Sequence, residues 1–419
     1  MQSQDVIIIG GGLAGLSCAR LLEQHGISFL LLEASDDFGG RVRTDFVDGF
    51  RLDRGFQVLL TAYPETQRVL DYDALDLRNF YPGARVRVED GWRTLADPWR
   101  HPIDAMRSVI KPIASMGDLT KIATLRSRVT AGSIDDLMAR PETTTMDRLR
   151  EVGFSDRMIA RFFKPFFGGV FFDADLITSS RMFDFVFRMF STGNTAVPNL
   201  GMGEIPKQMA EGLPSDQLRT NARVTALEGK RVKLESGESY EAEQIVIAVE
   251  QPAAAALLPD LKSMRFQSTT CVYFAAPKAA VEAPILMLNG TGEGPVNNVC
   301  FMDRIASGYA PNDRALASVA ILGRTETDEE QLIDEVRKQL RDWFGEEVDA
   351  WIHLRSYRIP HALPRQGPGS LEPPQRPIEI GDGRVLCGDH RDNASINGAM
   401  ESGRRAAEAI LRQLADHPA

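Results

Sequence analysis

Three glycines near the start of the chain have the spacing of a phosphate-binding turn. Gly10, Gly12 and Gly15 form the pattern G-x-G-x-x-G directly after a short strand predicted for Asp5–Ile9. The first glycine permits a tight turn, the second lets the backbone approach a pyrophosphate, and the third lets a helix pack closely on a strand. The N–H groups at the start of the following helix then favour negative charge. The pattern therefore predicts a dinucleotide site.

The elements expected around this turn support the same prediction. Leu16–His25 has the pattern of a helix, and Ile27–Leu32 has that of a second buried strand. Glu33 follows that strand, 18 residues after Gly15, where its carboxylate can accept hydrogen bonds from both ribose hydroxyls. This unit indicates a dinucleotide, but it does not distinguish NAD from FAD.

The residues after the second strand resemble a motif of a known superfamily. Phe38-Gly39-Gly40-Arg41 is similar to the G-G-R extension of the flavin amine oxidase superfamily, which includes amine oxidases, protoporphyrinogen oxidases and phytoene-type carotenoid desaturases. Adjacent glycines let the chain pass close to a second phosphate or the ribityl chain, and Arg41 can pair with the pyrophosphate. The stretch 53–57 resembles the segment of these proteins that passes the isoalloxazine ring. The resemblance implies FAD.

Two further stretches carry the same resemblance. Gly388-Asp389 follows a predicted strand, and residues 395–407 are similar to the closing motif S-x-x-G-A-x-x-S-G with its alanine-rich helix. In the superfamily the aspartate meets the ribityl and pyrophosphate groups, and N–H groups at the helix start meet the flavin C2 carbonyl. Mid-chain, residues 198–206 and 221–224 also match, and the residue corresponding to Val224 contacts adenine through its backbone.

The glycine pattern and the resemblance together imply one set of cofactor-binding residues. They are Gly10, Gly12, Leu13, Ala14, Gly15, Glu33, Ala34, Gly39, Gly40, Arg41, Gly55, Phe56, Gln57, Val224, Gly388, Asp389, Ser395, Ile396, Asn397 and Ala399. Non-covalent FAD is expected, because Cys387 and His390 would lie beside the ribityl and phosphate groups. The six histidines lack the spacing of a metal site, so no metal is expected.

The predicted fold class is α/β, with a Rossmann-like FAD-binding domain and a discontinuous substrate domain of antiparallel sheet plus helices. The FAD-binding domain takes residues 1–60, 197–258 and 375–419, and the substrate domain takes residues 61–196 and 259–374. The first insertion is mostly helical after a predicted hairpin at residues 84–95. The second has a predicted helix at residues 329–344 and predicted strands at residues 269–275, 299–302 and 315–321.

Ten of the 21 phenylalanines fall between residues 162 and 190. One interpretation is the core of a helical domain. The other is an apolar tunnel to the flavin, since desaturase-like relatives take polyenes or other hydrophobic substrates. Gly168-Gly169 within this stretch predicts a helix break that allows close approach of backbone or ligand.

Residues 100–128 form a basic segment, with six positive and two negative side chains and apolar residues at helical spacing. Pro112 predicts a break within it. Such a segment on an acidic protein is either an ordinary solvated helix face or a peripheral contact with an anionic membrane.

Side chains for catalysis are less clearly marked. Amine oxidases of the superfamily usually frame the flavin with an aromatic pair and hold a water near N5 with a lysine; here Ile396-Asn397 stands where one aromatic residue is usual. The pocket candidates are Phe56, Gln57, Lys278 and Tyr357. Lys278 follows Pro277 at a predicted strand end, so a solvated loop position is the alternative for it. Tyr357 belongs to a polar cluster that fits either the pocket rim or structural hydrogen bonding, together with Arg355, His361 and Arg365.

These observations predict an FAD-dependent oxidoreductase, a desaturase-like dehydrogenase or oxidase. It would transfer hydride to flavin N5 from a small apolar substrate, unsaturated compounds included. Oxygen, a quinone or another electron acceptor would then reoxidise the flavin, and the sequence leaves this choice open. The alternatives are a flavin-containing amine oxidase, a non-catalytic relative that holds a prenylated partner, and an NAD(P)-linked dehydrogenase without flavin.

Composition and charge indicate which partners and which cellular location to expect. The net charge is −10 and the pI is about 5.3, which argues against a nucleic-acid partner. Four widely spaced cysteines indicate buried free thiols in a reducing compartment. The apolar N-terminus lacks a basic region and is interrupted by glycines, and no apolar run approaches the ~18 residues of a membrane span. A cytoplasmic protein, in one interpretation peripheral on the membrane, is expected.

Overall fold

The computed structural model describes residues 2–101 and 113–416. Its strands, in chain order, are β1 Gln2–Ile9, β2 Phe29–Leu32, β3 Thr44–Val47, β4 Phe50–Asp53, β5 Leu59–Leu60, β6 Leu77–Asn79, β7 Gly83–Val88, β8 Gly91–Ala96, β9 Thr195–Pro198, β10 Leu218–Arg219, β11 Val224–Glu228, β12 Arg231–Leu234, β13 Ser239–Ile247, β14 Phe266–Ala276, β15 Leu286–Asn289, β16 Val296–Phe301, β17 Ala315–Leu322, β18 Ile352–Pro364, β19 Glu379–Gly381 and β20 Arg384–Leu386.

The α-helices of the described residues lie between these strands and after the last of them. They are α1 Leu13–Gln24, α2 Pro64–Val69, α3 Met116–Thr130, α4 Ile134–Met138, α5 Thr145–Val152, α6 Asp156–Met158, α7 Lys164–Phe171, α8 Ser180–Thr192, α9 Glu204–Ala210, α10 Gln251–Leu257, α11 Met302–Ile305, α12 Glu329–Phe344 and α13 Ile396–Asp416. None of these described helices is long and apolar enough to cross a membrane.

The first sheet contains the predicted dinucleotide unit. Strands β10, β2, β1 and β13 are parallel and adjacent in that order. The other edge of β13 is divided: its first half pairs antiparallel with β12, and its second half pairs parallel with β20. The strands of this sheet therefore come from three separated stretches of the chain.

Alternating burial explains how this sheet is covered on both faces. Val6 and Ile8 pack into one apolar cluster with α1, whereas Ile7 and Ile9 pack into another with the β11–β12 hairpin. Successive strand residues point to opposite faces, so a continuous apolar run is what a two-sided sheet requires.

The second sheet has the order β18-β14-β17-β16-β15-β7-β8. Its pairs are antiparallel, as predicted, except for β15 with β7, which is a parallel pair. The hairpin β7–β8, predicted within the first insertion, extends the sheet of the second insertion. Alternation again divides its faces: Val272 and Phe274 pack with α12, and Cys271 and Tyr273 face the first domain.

Predictions for the insertions hold in part. The helix predicted at residues 329–344 is α12, and the three predicted strands correspond to β14, β16 and β17. Strands β15 and β18 were not predicted. The helix break predicted at Gly168-Gly169 is wrong, because α7 continues through both glycines. Asn297 and Asn298 of β16 approach Gly169 so closely that a Cβ there would lie 2.9 Å from the Asn297 amide nitrogen.

Candidate active site

The glycine turn has the conformation and packing that its sequence predicts. Gly10 has φ of 103°, and a Cβ at that position would lie 2.8 Å from the Ala248 carbonyl oxygen. A Cβ on Gly15 would overlap the Gly10 carbonyl oxygen, so α1 packs against the turn only because this residue is glycine. At Gly12, by contrast, the nearest atom to an added Cβ is the Gly39 carbonyl oxygen, 4.0 Å away. That side of the turn is an open cradle.

Glu33 lies at the carboxyl end of β2, beside the turn. Its Oε2 accepts a hydrogen bond from the Gly11 N–H at 2.7 Å, and its Oε1 accepts one from the Ser35 N–H at 2.8 Å. The Glu33 backbone carbonyl accepts from the Ala222 N–H, which brings the start of β11 and Val224 to the same edge of the sheet. The predicted ribose and adenine contacts, with Ala34 between them, therefore share one location.

The second glycine pair continues the cradle. Gly39 and Gly40 have φ of 115° and 61°, and the Gly39 N–H donates to the Gly11 carbonyl at 2.8 Å. Arg41 pairs with Asp389 at 2.8 Å and also donates to the Ala362 carbonyl of β18 at 2.9 Å. Burial lowers the pKa of the Arg41 guanidinium, but the Asp389 carboxylate outweighs this and leaves it above its ordinary value. The two predicted motifs at opposite ends of the chain thus meet through this ion pair.

Helix α13 begins against the same cradle. The Ser395 hydroxyl accepts from the Gly398 N–H at 3.1 Å, and the Ser395 carbonyl accepts from Ala399. The Asn397 amide oxygen accepts a hydrogen bond from the Glu65 N–H at 3.0 Å. Because this oxygen already has a partner, the backbone of Asn397 is the part left for the predicted flavin contact. Ser395, Ile396 and Ala399 are half-buried, and the first N–H groups of a helix have no intrahelical partner.

Buried polar atoms without partners test whether this cradle fits FAD. Among the described residues, both ring nitrogens of His390 and the Oε1 of Gln57 are buried and have no hydrogen bond. Burial lowers the pKa of His390 to about 4, which keeps the imidazole neutral. Buried polar atoms normally have partners, and FAD offers both donors and acceptors. With the open side of Gly12, the donor set fits FAD. The sequence placed His390 beside the ribityl and phosphate groups by its position after Gly388-Asp389, but did not count it among the cofactor-binding residues.

An apolar cavity of about 220 Å³ begins beside residues 55–57, which the resemblance predicts to pass the flavin ring and which are called the flavin-facing segment below. Phe56 lines it, and Phe80 packs edge-to-face on Phe56 with ring centroids 6.2 Å apart. The phenylalanines of residues 162–190 divide between the two predicted roles. Those that line the cavity are Phe162, Phe163, Phe166, Phe167, Phe187 and Phe190, whereas Phe171, Phe172, Phe183 and Phe185 lie outside its wall.

Lys278 and Tyr357 are not brought into this cavity. Lys278 is exposed in a bend beyond the end of β14. Tyr273 of β14, five residues before Lys278, reaches the Gly55 carbonyl with its hydroxyl, whereas Lys278 lies beyond the end of that strand and outside the cavity wall. Tyr357 donates to Asp45 at 2.7 Å.

The rest of the predicted polar cluster has separate partners. Arg355 also pairs with Asp45, His361 with Glu250, and the Arg365 N–H with the Arg265 carbonyl. The structural interpretation of this cluster is therefore the one that its contacts favour.

Buried hydrogen bonds to Asp53 hold the flavin-facing segment in place. Its Oδ1 accepts from the Thr44 hydroxyl at 2.5 Å and from the Met202 N–H at 2.9 Å, and its Oδ2 accepts from the Tyr309 hydroxyl at 2.6 Å. Burial raises the pKa of Asp53 to about 6, against the lowering effect of these hydrogen bonds. The Asp53 carbonyl also accepts from the Tyr273 hydroxyl of the second sheet. The sequence placed Asp53 in a motif but gave no sign of this role.

The fold and the cradle define a two-domain FAD-dependent oxidoreductase. The chain belongs to the family of flavin-containing amine oxidoreductases, whose family model matches residues 13–411. All four cysteines are free and buried, as expected.

Individual relatives are of several kinds. The chain is 23% identical over 469 residues to coproporphyrinogen III oxidase of Mycobacterium tuberculosis strain H37Rv, covering 99% of each. It is 33% identical over 100 residues to carotenoid 3,4-desaturase of Haloarcula japonica, covering 22% of this chain and 19% of that protein. The match to polyamine oxidase 2 of Arabidopsis thaliana covers 11% of that protein. Among solved structures, an oxidoreductase from Methanosarcina mazei superposes with a TM-score of 0.75 at 17% identity, covering 97% of this chain and 100% of that one.

Proposed function

We propose that this protein is a dehydrogenase or oxidase that acts on an apolar substrate held in the phenylalanine-lined cavity. The observation that carries the proposal is the position of Phe56, which lines the cavity and lies between Gly55 and Gln57 of the flavin-facing segment. A molecule in this cavity would therefore lie beside the flavin.

The residues of the cradle would bind the cofactor without a covalent bond. Glu33 would hold the ribose, the glycines and the start of α1 the pyrophosphate, and the start of α13 the ring. Bound FAD supplies a two-electron acceptor for a hydride from a substrate carbon. Gln57 is held by two hydrogen bonds from its amide nitrogen, to the Arg41 and Arg54 carbonyls, which direct its Oε1 as an acceptor.

The cavity excludes water from the reacting region and orients the substrate by shape. Phe166 packs against Phe162, Phe167 and Phe190 with ring centroids 5.1 to 5.3 Å apart. Phe56 and the phenylalanines around it offer no acid or base, and the ionisable side chains of the described wall are Tyr81, Asp97, Arg100 and Arg126. This favours a substrate that loses its proton to solvent or to the acceptor system, and an extended unsaturated compound has that property.

Amine oxidation is the competing function, and the structure gives it less support. Lys278 is exposed outside the cavity wall, and Ile396 and Asn397 provide no aromatic side chain at the start of α13. The carotenoid desaturase match and the apolar wall favour the first proposal.

Anaerobic titration of the FAD-loaded protein tests the proposal. We expect a polyene hydrocarbon to bleach the flavin absorbance and primary or secondary amines to leave it unchanged. Phe166→Trp, which fills the cavity, should slow the bleaching, whereas Phe172→Trp, outside the wall, should not. Bleaching by amines alone would replace the proposal with amine oxidation.

A peripheral membrane contact through residues 100–128 is a second proposal. Residues 102–112 lie outside the described residues, and the rest of the segment is the end of a loop and α3. Trp99 and Met116 beside it are 46% and 71% exposed, and Lys121 and Arg128 add positive charge. We expect the protein to co-sediment with anionic vesicles and not with zwitterionic ones. Co-sedimentation with both kinds of vesicle, or with neither, would refute the proposal.

A further inference from the structure

The wall of the cavity has one charged region. Most of its lining is apolar, and the charged exceptions are Asp97, Arg100 and Arg126. Trp99, also part of the wall, is 46% exposed and marks the opening of the cavity. The charges therefore lie at the mouth, and what they imply about the substrate rests on the function proposed above.

One carboxylate forms ion pairs with two guanidinium groups at this mouth. The Asp97 Oδ2 lies 3.6 Å from the Arg100 Nε and 3.8 Å from the Arg126 Nη1, while its Oδ1 accepts from the Trp99 N–H. The charged side chains that line the described wall therefore carry one net positive charge, in a setting where apolar neighbours reduce screening.

The two arginines differ in how they are held. Arg100 donates to the carbonyls of Phe190 and Gly193 at 3.1 and 2.5 Å and to the Asn194 amide oxygen at 3.4 Å. Its donors are thus directed into the protein. Arg126 donates no hydrogen bond to any described residue, and its guanidinium lies 4.8 Å from the centre of the Trp99 ring. Arg126 lines the cavity and is 26% exposed, so solvent and ligands at the mouth can reach it.

Helix α3 aligns this guanidinium with the apolar wall. Leu119, Ile122 and Arg126 line the cavity at positions i, i+3 and i+7, which lie on one face of a helix. The same face therefore changes from aliphatic to cationic along its length. An extended apolar molecule lying along it would have its outer end at Arg126.

We propose that the substrate is an extended apolar molecule with one carboxylate, and that Arg126 binds this carboxylate at the mouth of the cavity. A planar guanidinium held on a tryptophan ring is suited to a two-point hydrogen bond with a carboxylate. The apolar part then extends towards Phe56 and the flavin. The acid end sets the distance between the entrance and the reacting carbon.

A fluorescent polyene acid and its methyl ester form a matched pair of probes. trans-Parinaric acid and methyl trans-parinarate would be titrated into the FAD-loaded protein, since both fluoresce more strongly in an apolar site. We expect the acid to bind about tenfold more tightly than the ester. Arg126→Gln should remove the preference, and Arg126→Lys should retain part of it. Arg128→Gln, an exposed change on the same helix, should leave it intact.

The outcomes separate the two proposals. Equal binding of acid and ester, or an acid preference that survives in Arg126→Gln, overturns the carboxylate inference and leaves the apolar cavity in place. Binding of neither probe overturns the proposed substrate class together with it. The flavin absorbance of each variant shows whether it has folded and bound FAD. If Arg126→Gln does not fold or does not bind FAD, Arg126→Lys provides the measurement instead.

Discussion

Gly403→Ala is expected to loosen the junction between the two helices that begin at the FAD site. Gly403 of α13 lies against Ala14 of α1, and the Ser17 hydroxyl of α1 donates to the Met400 carbonyl at 2.8 Å. A Cβ on Gly403 would overlap the Ala14 carbonyl oxygen and lie 2.8 Å from its carbonyl carbon. Because the obstacle is backbone rather than a flexible side chain, the helices must separate.

The size of the effect follows from this overlap. Ordinary carbon contacts begin near 3.4 Å, so relief requires a displacement of more than half an ångström for the carbon and more for the oxygen. Overpacking that moves backbone costs about 1–3 kcal/mol in the free energy of unfolding. The shift also displaces the N–H groups of α1 from the phosphate cradle. Loss of one such charge-assisted hydrogen bond weakens FAD binding about tenfold.

Urea unfolding and FAD fluorescence titration would measure the two effects. Gly117→Ala is the matched control, because a Cβ in α3 at that position meets nothing closer than the Ser115 hydroxyl oxygen at 3.6 Å. Helix propensity predicts that this control gains about 0.5 kcal/mol. If Gly403→Ala unfolds at the same urea concentration as the parent and binds FAD equally well, the helix junction does not position the cofactor.

Three other outcomes are expected. Asp389→Asn should lower FAD affinity about tenfold. Adding Arg41→Gln to it should lower the affinity little further, because the two side chains form one ion pair. Equilibrium dialysis would measure both affinities, and additive losses would contradict this. Since burial raises the pKa of Asp53 to about 6 from 3.8, the native state favours the protonated carboxyl. The contribution of Asp53 to the free energy of unfolding is present below about pH 4 and is lost as pH rises through about 6. In Asp53→Asn the urea midpoint should not show this fall. Acid precipitation should release all FAD to the supernatant, and a yellow pellet would show a covalent bond.

The sequence predicted the cradle better than the cavity, for a physical reason. Gly10 needs a positive φ, and Gly15 must lack a side chain because it packs on the Gly10 carbonyl, so a pattern within six residues specifies the turn. The cavity wall is assembled from a loop, a hairpin and helices distant in the chain, and no local pattern relates Phe56 to Phe190 or Arg126. Lys278 follows Pro277 at a strand end, and the structure places it in the solvated loop that this position predicts, outside the cavity wall.

Asp53 shows how the two domains are held in register. It ends β4, two residues before Gly55, and its carboxylate accepts hydrogen bonds from Thr44 of the neighbouring strand and from Tyr309 of the second insertion. Its carbonyl accepts from Tyr273 on the face of the second sheet that is turned towards the first domain. The flavin-facing segment is therefore tied to the sheet that bounds the substrate domain by buried hydrogen bonds on both sides. Because packed interiors transmit displacement, a change at Asp53 should alter the approach of substrate to flavin without touching either one.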